Sequence, residues 1–210
     1  MPGTTSLMGF VAAALVILLI PGPGVLYIVA RSLGQGHRAG LLSVLGLSVG
    51  ALVHVAAATA GLSAILLASA TAFGIVKALG AGYLIYLGMR TLLSPGPTTG
   101  MEASAPRSLY RLFTDGVVVS VLNPKIAVFF LAFLPQFVEP GRGPVSEQVL
   151  SLGLIYVALA LVTDSGYALL AGSLRHWLGG RVVQGPLPRY VSGALYVGLG
   201  VSTALSGRRQ

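Results

Sequence analysis

The sequence contains no cysteine and very few charged residues. Of its 210 residues, 9% are Asp, Glu, Lys or Arg, whereas 55% are hydrophobic and 29 are glycine. Soluble domains carry about 25% charged residues, so this chain has too little polar surface to cover a core in water. The composition therefore indicates an integral membrane protein. The lack of cysteine excludes thiol–disulfide redox chemistry and thiolate metal sites.

The few ionisable residues do not form a metal or nucleic-acid site. The three histidines, His37, His54 and His176, are far apart and lack the spacing of metal ligands. The formal net charge is +8, but the cations are scattered between apolar runs. That distribution is typical of loops that set membrane orientation and not of a phosphate-binding patch. We expect no metal, no cofactor and no nucleic-acid partner.

Apolar runs divide the chain into six candidate membrane spans. A signal peptide is not expected, because no Lys or Arg precedes Arg31 and no cleavage pattern follows the first run. The spans are predicted at about 7–29, 41–66, 73–92, 116–137, 149–171 and 190–205. A polar hinge is predicted at 31–38 and a Gly46–Gly50 packing face in the second span. The sequence thus predicts an all-α membrane protein, with residues 1–210 forming a single domain.

The basic residues predict the orientation of these spans. One set of alternate loops carries Arg31, Arg38, Arg90, Arg107, Arg111, Arg175, Arg181 and Arg189, whereas the opposite side carries Arg142, Arg208 and Arg209. Cytoplasmic loops are enriched in Lys and Arg. The larger set is therefore predicted to face the cytoplasm, which leaves both termini outside.

Two of the spans contain residues that interrupt a helix. The first span contains Pro21-Gly22-Pro23-Gly24 and the fourth contains Asn123-Pro124-Lys125. Proline inside a helix costs roughly 3 kcal/mol, and a charged residue at a bilayer centre costs about 2.5–3.5 kcal/mol on insertion scales. Such residues indicate a functional site by default. The alternative is a simple kink, with the lysine reaching toward an interface.

The two halves of the chain show a weak internal repeat. A shift of 103 positions places Phe10 on Phe113 and Pro21 on Pro124, so the two helix breaks coincide. Each half, about 7–93 and 113–205, contains three spans, and this odd number would invert one half relative to the other. Broken helices at matching positions of inverted repeats indicate the binding site of a transporter.

Asp164 is the only acidic residue inside a predicted span. At about 1.5 Å of rise per residue, Pro21, Lys125 and Asp164 each lie roughly 10–15 Å from the cytoplasmic ends of their spans. We expect them to meet near the middle of the bilayer. Asp164 would then be either a structural ion-pair partner of Lys125 or a carrier of the coupling proton. His54 is predicted nearer the outer side, where it could line the cavity.

The sequence also resembles a known family. Its stretches Pro21-Gly22-Pro23, HRAGLLSVLGLSVG, ALGAGYLIYLGMR and above all LNPKIAVFFLAFLPQFV are similar to the lysine-exporter (LysE/RhtB) family, over about residues 10–205. The resemblance implies an exporter, such as an antiporter, that moves amino acids or their derivatives across the bacterial inner membrane and is coupled to protons or to the membrane potential. The family signature falls on Pro21, Gly22, Pro23, Asn123, Pro124 and Lys125. Many relatives have an acid where this chain has Ala51, which argues against a cationic substrate.

The prolines also predict how an amino acid would be held. They leave the carbonyls of Ile17, Leu19 and Ser120 without helical donors, and such carbonyls suit an α-ammonium group. The N-terminus of the half-helix after each break suits a carboxylate, to which Lys125 adds a counter-charge.

Two other function classes stay open. Glycine-rich broken helices also line passive channels or osmolyte pores for small zwitterions. A membrane enzyme could use His54, Asp164 and Lys125 as an acid–base set, but no nucleophile or metal motif accompanies them, so we expect no enzyme activity. The expected partners are an amino-acid substrate and the lipid bilayer, and a homodimer stays open as an assembly.

Overall fold

The computed structural model describes residues 2–68 and 108–174, together with Met89 and Leu93. All regular structure in that part of the chain is helical. The α-helices are α1 (Thr4–Leu18), α2 (Pro23–Gln35), α3 (His37–Ala68), α4 (Leu109–Val121), α5 (Pro124–Val128) and α6 (Val145–Ser173). A π-helical turn (Phe129–Phe133) and a 3₁₀ turn (Leu134–Phe137) extend α5, and a second 3₁₀ turn (Pro140–Arg142) precedes α6. The predicted spans at 190–205 and, apart from Met89, at 73–92 lie outside the described residues.

Both predicted helix breaks are present. The axes of α1 and α2 differ by 52°, and those of α4 and the helical segment Pro124–Phe137 differ by 44°. Pro23 and Pro124 each begin the second helix of a pair, where the missing N–H would have no helical partner in any case. By length and composition, α3 and α6 could each cross a membrane, and each bent pair could form one further span. The described part of the chain therefore holds up to four spans.

The long helices α3 and α6 pack side by side in opposite directions. At one end, the ring of His37 lies against Gly172, and its Nε2 is 3.2 Å from Oγ of Ser173. Further along α3, Val55 packs on Gly153 near the start of α6. The antiparallel order gives the structure two ends, which we call the His37 end and the Glu139 end.

The Glu139 end is closed by a polar cluster around one carboxylate. Glu139 accepts hydrogen bonds from the N–H of Gly3, at 3.2 Å, and from the hydroxyl of Ser6, and it pairs with Arg142 at 2.6 Å. The side chain of Gln148 bonds both the N–H and the carbonyl of Glu139, at 3.0 and 2.9 Å. These contacts, which we call the Glu139 clasp, join the start of α1 to the loop that leads into α6.

The predicted hinge at 31–38 is wrong in its extent. Helix α2 continues through Arg31 to Gln35, and the chain turns at Gly36, whose φ of 87° favours glycine. Arg31 is only 9% exposed, and its guanidinium lies 5.3 Å from the centre of the Tyr27 ring one helical turn earlier. The polar residues therefore belong to the helix because the arginine packs on an aromatic ring instead of reaching into solvent.

The predicted packing face on α3 is confirmed. Gly46 lies against the backbone of Phe113, and a Cβ on Gly50 would fall 2.7 Å from the carbonyl oxygen of Val117 and 2.5 Å from Cβ of Ser120. The backbones of α3 and α4 thus approach as closely as glycine permits, which is the usual role of small residues spaced four apart. This contact places the end of α4 directly beside α3.

Candidate functional site

The two helix breaks meet at a small cavity that is lined by residues of α1, α2, α3, α5 and α6. Among the described residues, the polar groups on its walls are Ser48, Asn123, Lys125 and Asp164, and the other wall residues are apolar, apart from glycine and Tyr156. The volume open to the centres of water molecules is about 40 Å³. One water needs roughly 10–15 Å³ by that measure, so the cavity has room for a few waters but not for a whole amino acid.

The structure brings together most of the site residues that the sequence predicted. Gly22, Asn123, Lys125 and Asp164 all line the cavity, as the common depth predicted for Lys125 and Asp164 allows. The prolines are not on its walls: Pro21 and Pro23 flank Gly22, and Pro124 begins α5. Their contribution is to bend the helices that carry the wall residues. Whether these residues bind a substrate stays a prediction.

Lys125 extends from the second break to the first. The residue is 6% exposed, and its Nζ donates to the carbonyl oxygen of Ile20 at 2.6 Å. Ile20 lies in the break just beyond α1, at the end of a half-helix that carries a partial negative charge. The ammonium therefore caps this helix end from another part of the chain.

Asn123 performs the complementary task at the start of α5. Its Oδ1 accepts the backbone N–H of Lys125 at 3.0 Å, which is the typical N-cap contact of asparagine. Its amide nitrogen would lie 3.7 Å from a Cβ on Gly24, so the two breaks approach each other closely at this point. Glycine at position 24 is required by α3, since a Cβ there would fall 2.8 Å from Cδ2 of Leu47.

The carbonyls that were predicted to be free all have donors in the structure. The carbonyl of Ile17 accepts the N–H of Ile20 at 3.2 Å, and that of Leu19 accepts the hydroxyl of Tyr167 at 2.9 Å. The carbonyl of Ser120 accepts the N–H of Asn123 and Nε2 of His54, both at 3.1 Å. The expectation that these three carbonyls would lack donors is therefore wrong, because neighbouring groups already donate to them.

His54 is a cap on the second break, and it is not among the residues that line the described cavity. A carbonyl oxygen can only accept, so Nε2 of His54 must carry the proton in this contact. The imidazole stacks on Phe130, with ring centres 6.3 Å apart and planes inclined by 12°. His54 was predicted to line the cavity, but it lies about one helical turn beyond it. The wall residue Ala51 precedes His54 by three positions on α3.

Asp164 brings the second charge to the cavity. Its side chain is half-buried and lies near enough to Lys125 and to Tyr167 for electrostatic interaction. Nζ of Lys125 donates to the carbonyl of Ile20, and the carboxylate of Asp164 adds an electrostatic attraction to the same ammonium. The choice between a structural partner and a proton carrier stays a prediction.

The sequence reasoning missed several residues of this site. Ser48, Tyr156 and Ala160 line the cavity, and Tyr167 holds the carbonyl of Leu19. One signal was available: Ser48 lies one helical turn before Ala51, and Ala160 and Tyr167 lie one turn on either side of Asp164. Within the described residues, no group of three or more His, Asp or Glu side chains could hold a metal ion.

The geometry is that of two broken helices around a small, charged, membrane-embedded cavity. The family model "LysE type translocator" matches residues 15–207. The chain belongs to the LysE-type translocator family. The resemblance predicted from its sequence is therefore confirmed, and so is its location as a multi-pass protein of the bacterial inner membrane.

Several curated relatives cover most of this translocator. It is 32% identical over 171 residues to the homoserine/homoserine lactone efflux protein of Salmonella typhimurium, across 81% of this chain and 82% of that protein. It is 28% identical over 207 residues to the leucine efflux protein of the same organism, across 96% of each. It is also 29% identical over 197 residues to an "uncharacterized membrane protein" of Vibrio cholerae, across 94% and 95%. No solved structure matches the chain.

Proposed function

We propose that this translocator exports neutral amino acids or their derivatives, which it binds as zwitterions in the cavity between the two helix breaks. The observation that carries the proposal is that one ammonium, on Lys125, and one carboxylate, on Asp164, both line the same, otherwise largely apolar membrane cavity. A relative named as a homoserine/homoserine lactone efflux protein and one named as a leucine efflux protein support amino acids and their derivatives as the substrate class. The lactone has no free carboxylate, so for binding as a zwitterion the relevant substrates are homoserine and leucine. Both amino acids have uncharged side chains.

The walls of the cavity also favour an uncharged substrate side chain. Ala51 and Ala160, which are 3% and 7% exposed, present methyl groups on opposite helices, and Tyr156 and Leu47 add further apolar surface. A cationic side chain would need a second acidic partner to offset its desolvation, and Asp164 is the only acid among the described residues of the cavity wall. Lysine and arginine are therefore excluded from the proposed substrates.

The protein would carry its substrate by alternating access. The cavity has room for a few waters only, so a bound amino acid requires the surrounding helices to move apart. We propose six spans arranged as two inverted repeats, about 7–93 and 113–205, that rock against each other around the cavity. The antiparallel packing of α3 on α6 supports this arrangement, because equivalent helices of inverted repeats run in opposite directions.

We propose further that Asp164 carries the coupling proton in exchange for substrate. It is the acidic residue on the cavity wall, and it interacts with Lys125, which the substrate carboxylate would engage. A change in the charges around Lys125 would therefore directly change the electrostatic potential at the carboxylate of Asp164. The same geometry without this exchange would give a passive pore for zwitterions, which is the competing function.

Transport into proteoliposomes tests these proposals together. Vesicles that contain the purified chain should accumulate labelled leucine or homoserine above the outside concentration when a proton gradient is imposed. Asp164→Asn should abolish accumulation but keep the exchange of labelled for unlabelled substrate. Glu147→Gln, which alters an exposed acid on the same helix, is the matched control and should transport normally. Equilibration without accumulation would support the pore, and accumulation by Asp164→Asn would contradict the assignment of the proton.

A further inference from the structure

We infer that the substrate is recognised by insertion into a single hydrogen bond, the one between the ammonium of Lys125 and the carbonyl of Ile20. The substrate carboxylate takes the ammonium of Lys125, and the substrate α-ammonium takes the carbonyl that Lys125 leaves. The site then selects molecules that carry both a free α-ammonium and a free carboxylate. This inference rests on the proposed function and names the contacts that would define its substrates.

The bond has the position and the chemistry that insertion requires. It is 2.6 Å long, it joins the second break to the first, and Lys125 lines the cavity. Its donor is the group that a carboxylate binds most strongly, and its acceptor is the group that an ammonium seeks. A zwitterion presents the same two functions in reverse order. It can therefore replace one charge-assisted hydrogen bond by two, without leaving either protein group unpaired.

The other carbonyls at the breaks are poor sites for such an exchange. Those of Leu19 and Ser120 are held by Tyr167 and His54, which are ring side chains on the long helices α6 and α3. These donors reach their acceptors through short, stiff connections, and the imidazole is also stacked on Phe130. Lys125 alone among the three side-chain donors has a long aliphatic stem and a full positive charge. Its bond is thus the one that a charged ligand can open.

The shape of an amino acid fits this arrangement. Its ammonium and its carboxylate are attached to one carbon atom, so the molecule can bridge two groups that separate only slightly. The substrate side chain then points away from the bridge, toward the methyl groups of Ala51 and Ala160. The helix end beyond Leu18 remains capped by a cation throughout, because the substrate ammonium takes over from Lys125.

Three ligands of nearly one size test the two contacts separately: leucine, 4-methylpentanoate, which lacks the ammonium, and leucinamide, which lacks the carboxylate. Binding to the purified full chain in detergent would be measured by isothermal calorimetry, and transport by proteoliposome uptake. Removal of either charged group deletes one charge-assisted hydrogen bond. We expect each analogue to bind about 10- to 100-fold more weakly than leucine.

The variant Lys125→Met shows which protein contact accounts for the weaker binding of each analogue. This variant should bind leucine weakly and should no longer distinguish leucine from leucinamide, because the partner of the carboxylate is gone. It should still bind leucinamide and leucine more tightly than 4-methylpentanoate, because the carbonyl of Ile20 remains to accept from an ammonium. Arg38→Met, which removes an exposed cation at the His37 end, is the control and should leave both preferences unchanged.

The possible failures are distinguishable. Equal binding of 4-methylpentanoate and leucine by the natural chain would overturn the contact with Ile20. A preference for leucine over leucinamide that persists in Lys125→Met would overturn the contact with Lys125. If that variant does not fold, the natural chain still decides, since equal binding of leucinamide and leucine would also overturn insertion. A chain that binds neither leucine nor homoserine would overturn the proposed function and this inference with it.

Discussion

Replacement of Gly50 by alanine should separate α3 from α4 and disturb the second helix break. A Cβ at this position would lie 2.5 Å from Cβ of Ser120 and 2.7 Å from the carbonyl oxygen of Val117. Both distances are below contact distance, and the second involves backbone that cannot rotate away. Overpacking of this kind costs about 1–3 kcal/mol. The added methyl would also push Ser120 away from α3, which carries the His54 cap of its carbonyl.

The same substitution at Gly61 is the matched control. Gly61 lies on the same helix, but a Cβ there meets no atom within 4 Å. We expect the free energy of unfolding of Gly61→Ala, measured by denaturant titration in detergent micelles, to equal that of the natural chain or exceed it by up to about 1 kcal/mol, since alanine favours helix. Gly50→Ala should fall below both by about 1–3 kcal/mol and should transport more slowly.

A second substitution in the same contact separates its two parts. Ser120→Gly removes the side chain that meets the new methyl group but leaves the carbonyl of Val117 in place. The double variant Gly50→Ala/Ser120→Gly should therefore recover only part of the lost stability. Equal stability of Gly50→Ala and Gly61→Ala would refute the close approach of α3 and α4, and full recovery in the double variant would refute the contact with Val117.

Three further predictions concern other parts of the molecule. Tyr167→Phe removes the hydroxyl that donates to the carbonyl of Leu19 and leaves the shape of the side chain nearly unchanged. Transport should slow about two- to tenfold, whereas the melting temperature should stay nearly the same. Unchanged transport would mean that this hydrogen bond is dispensable. The hydrogen bond from Ser6 lowers the pKa of Glu139 below its ordinary value, so the stabilisation by the clasp is present above about pH 4 and is lost as the pH falls through the lowered pKa. Glu139→Gln should therefore lower the melting temperature at neutral pH, and a difference that persists in acid would contradict the role of the charge. A reporter tag inserted at 96–99 should be cytoplasmic and a C-terminal tag periplasmic, and two cytoplasmic tags would contradict the six spans.

The positions of the helix breaks could be predicted because their cause is local. Proline lacks an N–H whatever surrounds it, so the helix breaks at Pro23 and Pro124 can be predicted from the sequence alone. The common depth of Lys125 and Asp164 was also predictable, because the rise of a helix is constant and both residues lie on continuous apolar runs. Equal depth allows the two residues to meet at one cavity, as they do, but the meeting itself depends on how the helices pack.

The partners of the freed carbonyls could not be predicted in the same way. His54 is 66 residues from its acceptor Ser120, and Tyr167 is 148 residues from Leu19. Such contacts depend on which helices pack together, and a single sequence does not specify that pairing. The error at the hinge has a related origin, since the burial of Arg31 depends on its packing against Tyr27 and not on its own polarity.

The turn at Gly36 constrains how the chain enters the membrane during synthesis. Helix α2 has 13 residues and is therefore about 20 Å long, which is short of the roughly 30 Å thickness of the hydrocarbon core. A helix as short as α2 is a poor membrane anchor alone. Because only Gly36 connects α2 to α3, the two helices lie against each other as soon as both have left the ribosome. The insertase would then receive α2 and α3 as one helical hairpin. An insertion of extra residues after Gly36 should accordingly impair membrane integration in the cell more than it impairs the stability of protein that has already folded.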